Sequence, residues 1–328
     1  MPTPTKIWVE NFSSLILGIR SFSEKGVDNY TGWFIERLKG RDLGEYSFLY
    51  QGKDSNDLRT ICTSVDLYMH DFLIDWFKTN CLGINIIAEE GNVQIGGGDF
   101  EKWTVVIDEW DGTFNGLKGC ALSAVSLAID VENIPRQGIW YDPYRHLLMY
   151  STFLTSSVKS CVIVKDNSFS IEVFSDKRLF GKEKLSQARI VITRGTNLHK
   201  PTELIEPPLS TLRASIMEDL NYGATVPALM SVALGMVDGF VVAGSKPWDL
   251  WASRAIFNAL KIPYAFLEPF TYRNLRPEEI VPDSEKEYAF ACANNPALFE
   301  QIMQILQNCR TIRFPRESKL VGSEWPGI

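Results

Sequence analysis

The sequence is poor in histidine and has no paired cysteines. Its three histidines, His70, His146 and His199, stand far apart, and none is expected to act as a ligand or base. The six cysteines, Cys62, Cys81, Cys120, Cys161, Cys292 and Cys309, are scattered with no Cys-x-x-Cys pair. That excludes the common zinc spacings and a disulfide framework, and predicts reduced thiols in a cytoplasmic protein. Positive charge is also in deficit, with a formal net charge of -7. An acidic surface repels nucleic acid and anionic membranes, so neither is expected as a partner. Met1 to Val9 has no apolar stretch suited to a signal sequence. The most apolar long run, Val226 to Gly244, is broken by Asp238 and three glycines, and reads as a core helix followed by a strand. Gly96-Gly97-Gly98 lacks the following Lys-Ser/Thr of a phosphate loop and reads as a flexible turn. The basic stretch Arg310 to Arg316 is short and reads as a solvated tail.

The chain has 328 residues, 45% of them apolar, with nine Trp and nineteen Phe. That suffices for two packed subdomains or one large layered domain. The chain up to Asn80 reads as helical, and Val65, Met69, Phe72, Leu73 and Trp76 give Ser64 to Asn80 one apolar face. Short β runs follow at 84–88, 103–107, 122–131, 138–141, 147–154, 161–165 and 169–174, the last two joined by a turn at Asp166-Asn167. They predict a large, mainly antiparallel sheet. The proline-containing stretch Thr196 to Pro208 is a candidate boundary, dividing the chain into 1–200 and 201–328. Beyond it, helices at 226–236, 248–260 and 296–308 alternate with strands at 240–243, 264–267 and 288–291, which predicts a second, smaller α/β layer.

Chemistry concentrates in three acidic segments. In Trp103-Thr-Val-Val-Ile-Asp108-Glu-Trp-Asp111-Gly112-Thr113, an apolar strand ends in two carboxylates followed by glycine. Carboxylate oxygens are natural ligands of hard divalent cations, and amides after Gly112 could face a phosphate. Read alone, the segment fits an ordinary acidic turn equally well. Glu89-Glu90 closes another apolar strand, as a solvated pair or as ligands. Asp249, in Lys246-Pro-Trp-Asp249, opens a helix as a capping residue or as a ligand, and Asp66 does the same for the helix from Ser64.

Together these pieces resemble the inositol monophosphatase family. The order Glu-Glu, then Asp-x-x-Asp-Gly-Thr, then Trp-Asp is the family's, as is Thr63-Ser-Val-Asp66 upstream. Asn221-Tyr-Gly223-Ala224-Thr225 before an apolar helix, and Tyr288 to Asn295 before the last helix, also match, so the resemblance runs from Lys53 to Asn308. It implies a layered α-β-α-β-α sandwich of the sugar-phosphatase type and a Mg²⁺-dependent phosphomonoesterase using two or three ions. Glu89, Asp108 and the Trp110 carbonyl would hold one ion. Asp108, Asp111 and Asp249 would hold a second, with a third near Glu89 and Asp66. Glu89, Thr113 and Asp66 would be catalytic, Thr113 and Asp66 orienting the attacking water. Gly112 and Thr113 would receive the phosphate, and Gly223, Ala224 and Thr225 would border the organic part of a small phosphorylated metabolite. Inhibition by Li⁺ and Ca²⁺ and a homodimer are implied in the same way.

Three departures stand out. Glu109 replaces the family's usual Pro, and Gly116 a usual Phe. Val242 stands seven residues before Asp249, where inositol-hydrolysing members carry a Glu that contacts sugar hydroxyls. Arg213, Lys246 and Arg254 are candidates to meet a second phosphate, as a fructose-1,6-bisphosphatase or nucleotide 3'-phosphatase would require. A catalytically weak relative that binds metal or metabolite and works through protein contacts is the alternative of a different class.

Overall fold

The structure is a computed structural model and describes residues 4–38, 51–52, 61–152, 161–165, 170–174, 181–195 and 202–308. Helix α1 (Pro4–Leu38) packs on α2 (Ser64–Asn80), and between them β1 (Gln51–Gly52) pairs with β2 (Ile61–Cys62). Helix α2 begins at Thr63 because Thr63 and Asp66 cap each other reciprocally. The Val65 amide donates to Thr63 Oγ1 at 3.2 Å, and the Thr63 amide donates to Asp66 Oδ2 at 2.7 Å.

The large sheet contains β3 (Asn85–Ala88), β4 (Val93–Gln94), β5 (Trp103–Asp111), β6 (Ala124–Val131), β7 (Ile134–Asp142), β8 (Leu147–Ser151), β9 (Cys161–Lys165) and β10 (Ser170–Phe174). A short helix, α3 (Thr113–Leu117), follows β5. The strand order is β10-β9-β8-β7-β6-β5-β3-β4, antiparallel throughout except for the parallel pair β3 and β5.

The second sheet is built from β11 (Arg189–Thr193), α4 (Thr202–Ser215), β12 (Glu218–Leu220), α5 (Thr225–Ala233), β13 (Gly239–Ser245), α6 (Pro247–Leu260), β14 (Tyr264–Leu267), β15 (Tyr288–Ala293) and α7 (Pro296–Asn308). Its order is β12-β11-β13-β15-β14, with β11 parallel to both neighbours.

Strand alternation sorts the core into three slabs, because successive side chains leave opposite faces of a sheet. Val105, Ile107, Leu127 and Ile129 face α1 and α2, joined there by Trp8, Leu73 and Phe77. Val106, Ala128 and Trp140 face the other way, into a slab shared with α5, α6 and the Phe240, Val242 and Phe290 side of the second sheet. Ile190, Val241, Ala243 and Ala291 cover the far side against α4 and α7. The layering is therefore helix, sheet, helix, sheet, helix, as expected.

Two readings need correction. Strand β11, assigned above to the first unit, hydrogen-bonds within the second sheet, so that sheet begins before residue 200. The proline-containing stretch read as a boundary is helical from Thr202, although Pro207 and Pro208 lie inside the helix. Prolines disfavour a helix interior, but Leu209 and Leu212 are fully buried against α7, and that packing outweighs local preference. The Asp166-Asn167 turn, residues 196–201 with His199, Cys309 and the basic stretch 310–316 lie outside the described residues. Of the three glycines at 96–98, Gly98 lies against Leu82, whose carbonyl oxygen would stand 2.3 Å from an added Cβ.

Helix α6 lies close on the large sheet. A Cβ on Gly138 of β7 would stand 2.2 Å from the Ala252 carbonyl oxygen. Backbone cannot yield as a side-chain tip does, so Gly138→Val is expected to reach the upper end of the ~1–3 kcal/mol of overpacking. Urea unfolding of the variant checks this, and an unchanged midpoint would show that the contact is looser than described.

Candidate metal centre

Strand β5 delivers two carboxylates to one place through an irregularity. In a regular strand, Asp108 and Asp111, three residues apart, would project from opposite faces. The pairing Asp108 with Ser126 and Asp111 with Ala124 shows one extra residue on β5. This bulge restores a common side. Gly112 then turns the chain into α3 with φ 90°, and an added Cβ there would meet the Leu122 carbonyl oxygen at 2.4 Å. Only glycine fits that step without strain.

Asp249 arrives from the second half of the chain, in the first turn of α6. One carboxylate oxygen from each of Asp108, Asp111 and Asp249 lies within 4.8 Å of the others. The pair from β5 and the distant Asp249 are thus brought together. Asp249 is also the capping residue that its position suggested. Its Oδ2 accepts from the Lys246 amide at 3.2 Å and from the Ser245 hydroxyl. Asp66 likewise combines two roles, with Oδ2 capping α2 and Oδ1 accepting from Thr113 Oγ1 at 2.9 Å. Thr113 Oγ1 also lies 3.0 Å from the Trp110 carbonyl oxygen.

Glu89 leaves β3 beside β5, its amide donating to the Ile107 carbonyl at 3.2 Å. Its charge raises the pKa of Asp108, although the carboxylates that converge within 4.8 Å are Asp108, Asp111 and Asp249. The loop Gly223 to Thr225 closes the other side. The Val226 amide donates to Asp111 Oδ2, Ala224 lies against Gly112, and Gly223 lies against Asn115. Asn115 ties this loop to the α3 turn by donating to the Tyr222 and Leu122 carbonyls, each at 2.9 Å.

The electrostatics show what the cluster lacks. Burial, then the charges of Glu89 and Asp111, push the Asp108 carboxyl well above its ordinary range. Glu89 is pushed the same way by burial and Asp249. Asp111 rises to about 8 through burial and Asp249, against the opposing bond from the Val226 amide. Asp66 rises to about 7 through burial, partly offset by its bonds to Thr63. Asp108 is fully buried, and its Oδ2 has no hydrogen-bond partner among the described residues. A hard divalent cation fits this donor set: it takes carboxylate oxygens and relieves their mutual repulsion.

Sequence reasoning missed several members. Ser245 holds Asp249, and Thr63 holds Asp66 through both its amide and its hydroxyl. His70, expected to be idle, pairs with Glu109 at 2.7 Å. Their positions could have hinted at this pair: Glu109 shares the α2-facing side of β5 with Ile107, and His70 lies on α2. The bond to Glu109 raises the His70 pKa, and burial raises that of Glu109. The candidates for a second phosphate mostly fall away. Arg213 pairs with Asp219 at 2.8 Å and Arg254 with buried Asp130 at 2.7 Å. Lys246 stays near the cluster, its Nζ donating to the Ser284 carbonyl at 3.1 Å. Val242 is fully buried between the sheets, and its side chain has no polar atom to offer a hydroxyl.

A group whose carboxyl pKa is raised on folding binds more protons folded than unfolded, so stability falls as pH rises between the two values. For Asp66 and Asp111 that window runs from 3.8 to about 7 and about 8. The metal-free chain is therefore expected to lose stability from pH 4 to pH 8, and Mg²⁺ to flatten that slope. Asp108→Asn is expected to stabilise the metal-free chain and remove the Mg²⁺ response. Urea unfolding at several pH values, with EDTA or Mg²⁺, measures both. A metal-free stability that rises towards pH 8 would contradict the assigned burial.

The model of the Inositol monophosphatase family matches residues 36–308. A protein of Pasteurella multocida named Nus factor SuhB is 29% identical over 207 residues, covering 62% of this chain and 70% of its own. The inositol-1-monophosphatase of Synechocystis is 26% identical over 197 residues, covering 60% and 63%. Among solved structures, the extragenic suppressor protein suhB of Bartonella henselae superposes with a TM-score of 0.67 at 15% identity, covering 90% of this chain and 98% of its own. Inositol monophosphatase from Anabaena gives 0.62 at 15%, covering 91% and 97%. At these identities the superpositions establish the layered fold, and the family match takes in every carboxylate of the cluster: the chain belongs to the inositol monophosphatase family.

Proposed function

We propose that the chain is a Mg²⁺-dependent phosphomonoesterase acting on a small sugar or polyol phosphate. The observation that carries this reading is the convergence of Asp108, Asp111 and Asp249 within 4.8 Å around an unpartnered, buried Asp108 oxygen. Glu89, Asp108 and the Trp110 carbonyl would hold one ion, and Asp108, Asp111 and Asp249 another, with Glu89 and Asp66 bordering a third. When bound, such ions supply Lewis-acid stabilisation of phosphate charge and a water acidic enough to ionise near neutral pH.

The chain's own residues supply position and proton handling. Thr113 Oγ1 sits between the Asp66 carboxylate and the Trp110 carbonyl, so its hydroxyl is oriented by two acceptors. In that setting its lone pairs can accept a hydrogen bond from the attacking water, and Asp66 fixes the hydroxyl's direction. Asp66 is held in turn by the Thr63 amide. The Gly112 and Thr113 amides, at the start of α3, would receive the phosphate. Gly223, Ala224 and Thr225 would border the organic moiety. With Val242 apolar, that moiety loses the hydrogen-bond acceptor of inositol-hydrolysing members, which argues for a substrate other than myo-inositol 1-phosphate. A homodimer is proposed from the family resemblance. A cytoplasmic location is proposed from the free thiols of Cys81, Cys120, Cys161 and Cys292; among the described residues no helix is long and apolar enough to cross a membrane.

A second reading has one observation in its favour. Several relatives carry the name Nus factor SuhB, which weighs against the expectation, drawn from net charge, that nucleic acid plays no part. On that reading the chain binds metal or metabolite and acts through protein contacts.

Phosphate release across a panel of phosphate esters separates the two. The first reading expects Mg²⁺-dependent release, loss of activity in Asp108→Asn, a fall in kcat of about 10²-fold for Thr113→Ala, and inhibition by millimolar Li⁺ and by Ca²⁺. No Mg²⁺-dependent release from any ester would hand the assignment to the second reading. Insensitivity to Li⁺ would remove the third ion.

A further inference from the structure

We infer that Asp130 and Arg254, with Trp251, form a clamp that sets the position of Asp249 along the large sheet, making them positioning residues for the metal centre. The inference rests on the metallophosphatase reading and adds to it how the one ligand from the second half of the chain is brought into register.

Asp249, Trp251 and Arg254 share α6. Arg254 lies five residues beyond Asp249, about 7.5 Å along the helix axis. Its Nη1 donates to Asp130 Oδ2 at 2.7 Å, and Trp251 Nε1 donates to the same oxygen at 2.9 Å. Arg254 Nη2 donates to the Asn133 carbonyl at 3.0 Å, and the guanidinium lies 4.7 Å from the Trp251 ring centre. Asp130 is 1% exposed and Arg254 9%. Asn133 sits in the β6–β7 turn, where it and Glu132 both have positive φ.

The far end of the clamp belongs to the framework that carries the other ligands. Asp130 on β6 pairs with Thr104 of β5, and Ser126 on β6 pairs with Asp108. Four residues of strand, about 13 Å, thus separate the anchor from the ligands. Helix α6 is fixed at two points along this length: at Asp130 by charge, and at Gly138 by contact with Ala252.

A buried ion pair is a poor device for stability alone, since apolar residues of similar volume commonly do as well. It does something that apolar packing cannot. Burial of Trp251, Ala252 and Ile256 is non-directional and tolerates sliding of α6 over the sheet. Displacing Arg254 from Asp130 strands two charges in the core, so the pair penalises sliding. Metal ligands require placement to within about 0.5 Å, and Asp249 inherits its placement from α6.

The test measures Mn²⁺ binding to the full chain by electron paramagnetic resonance, with urea unfolding in parallel. In the double variant Asp130→Asn, Arg254→Met, the Asn still accepts from Trp251 and no charge is stranded. Its unfolding midpoint is expected to stay near wild type while Mn²⁺ affinity falls about tenfold or more, the scale of lost outer support at metal sites. Leu298→Ala, in the far core slab, is expected to lower the midpoint and leave affinity within about twofold, because it removes packing without touching α6 or a ligand. Arg254→Lys keeps the charge and gives up the forked bond to Asn133, and an intermediate loss of affinity is expected; it also serves if the double variant does not fold. Wild-type affinity in the double variant, or in Arg254→Lys should the double variant not fold, would overturn the clamp alone. A wild-type chain that binds no Mn²⁺ would overturn the metallophosphatase reading, and the clamp with it.

Discussion

The structure is organised around a repulsion. Asp108, Asp111 and Asp249 converge on one point; the charge of Glu89 raises the pKa of Asp108, and those of Asp249 and Asp66 raise that of Glu89. Asp108 and Asp66 are buried and the others half-buried, and a carboxylate withdrawn from water resists ionisation. Such a cluster opposes folding at neutral pH unless a cation offsets it. The elements around it read as a means of holding it together. A bulge turns two strand residues to one side, a helix start presents Asp249, and the amide of Val226 steadies Asp111. Two local irregularities, the bulge in β5 and the positive φ of Gly112, fall where these carboxylates are delivered.

Several side chains at the centre carry two roles at once. Asp66 caps α2 with one oxygen and holds Thr113 with the other, and Asp249 caps α6 while facing Asp108 and Asp111. Shared duty of this kind is economical: a capped carboxylate has its rotamer fixed before any ion or substrate arrives, and less ordering entropy remains to be lost on binding. It also explains why the plain capping reading and the ligand reading of these residues do not compete.

The departures from the family pattern have separate consequences. Glu109, in place of Pro, adds a buried charge beside Asp108 but points to the α2 side of β5, where His70 meets it. The substitution therefore changes the packing behind the cluster and leaves the converging carboxylates in place. On the proposed reading Val242 bears on the substrate side, where a fully buried apolar residue stands at the position of the family's hydrogen-bond acceptor. On the proposed reading, phosphate chemistry and substrate choice are written in different parts of the chain, the first in β3, β5 and α6, the second in the strand that leads to α6.

The apolar runs at 103–107 and 240–243 and the helical spacing of 64–80 were legible without coordinates, because hydrophobicity and its period are local properties of the chain. The motif order also pointed to Asp108, Asp111 and Asp249 as partners. Other features were not legible. Prolines at 207 and 208 spoke against a helix that the burial of Leu209 and Leu212 sustains, and the affiliation of 189–193 with the second sheet depends on strand pairing across the chain. Nothing in the local sequence could show that Arg254 answers Asp130, and the positions of His70 and Glu109 gave no more than a hint of theirs, since each pairing spans dozens of residues. The sequence by itself determined which groups this protein carries and which segments bury; tertiary structure alone decided which charges meet, because Coulomb and hydrogen-bond energies depend on separation in space and not along the chain.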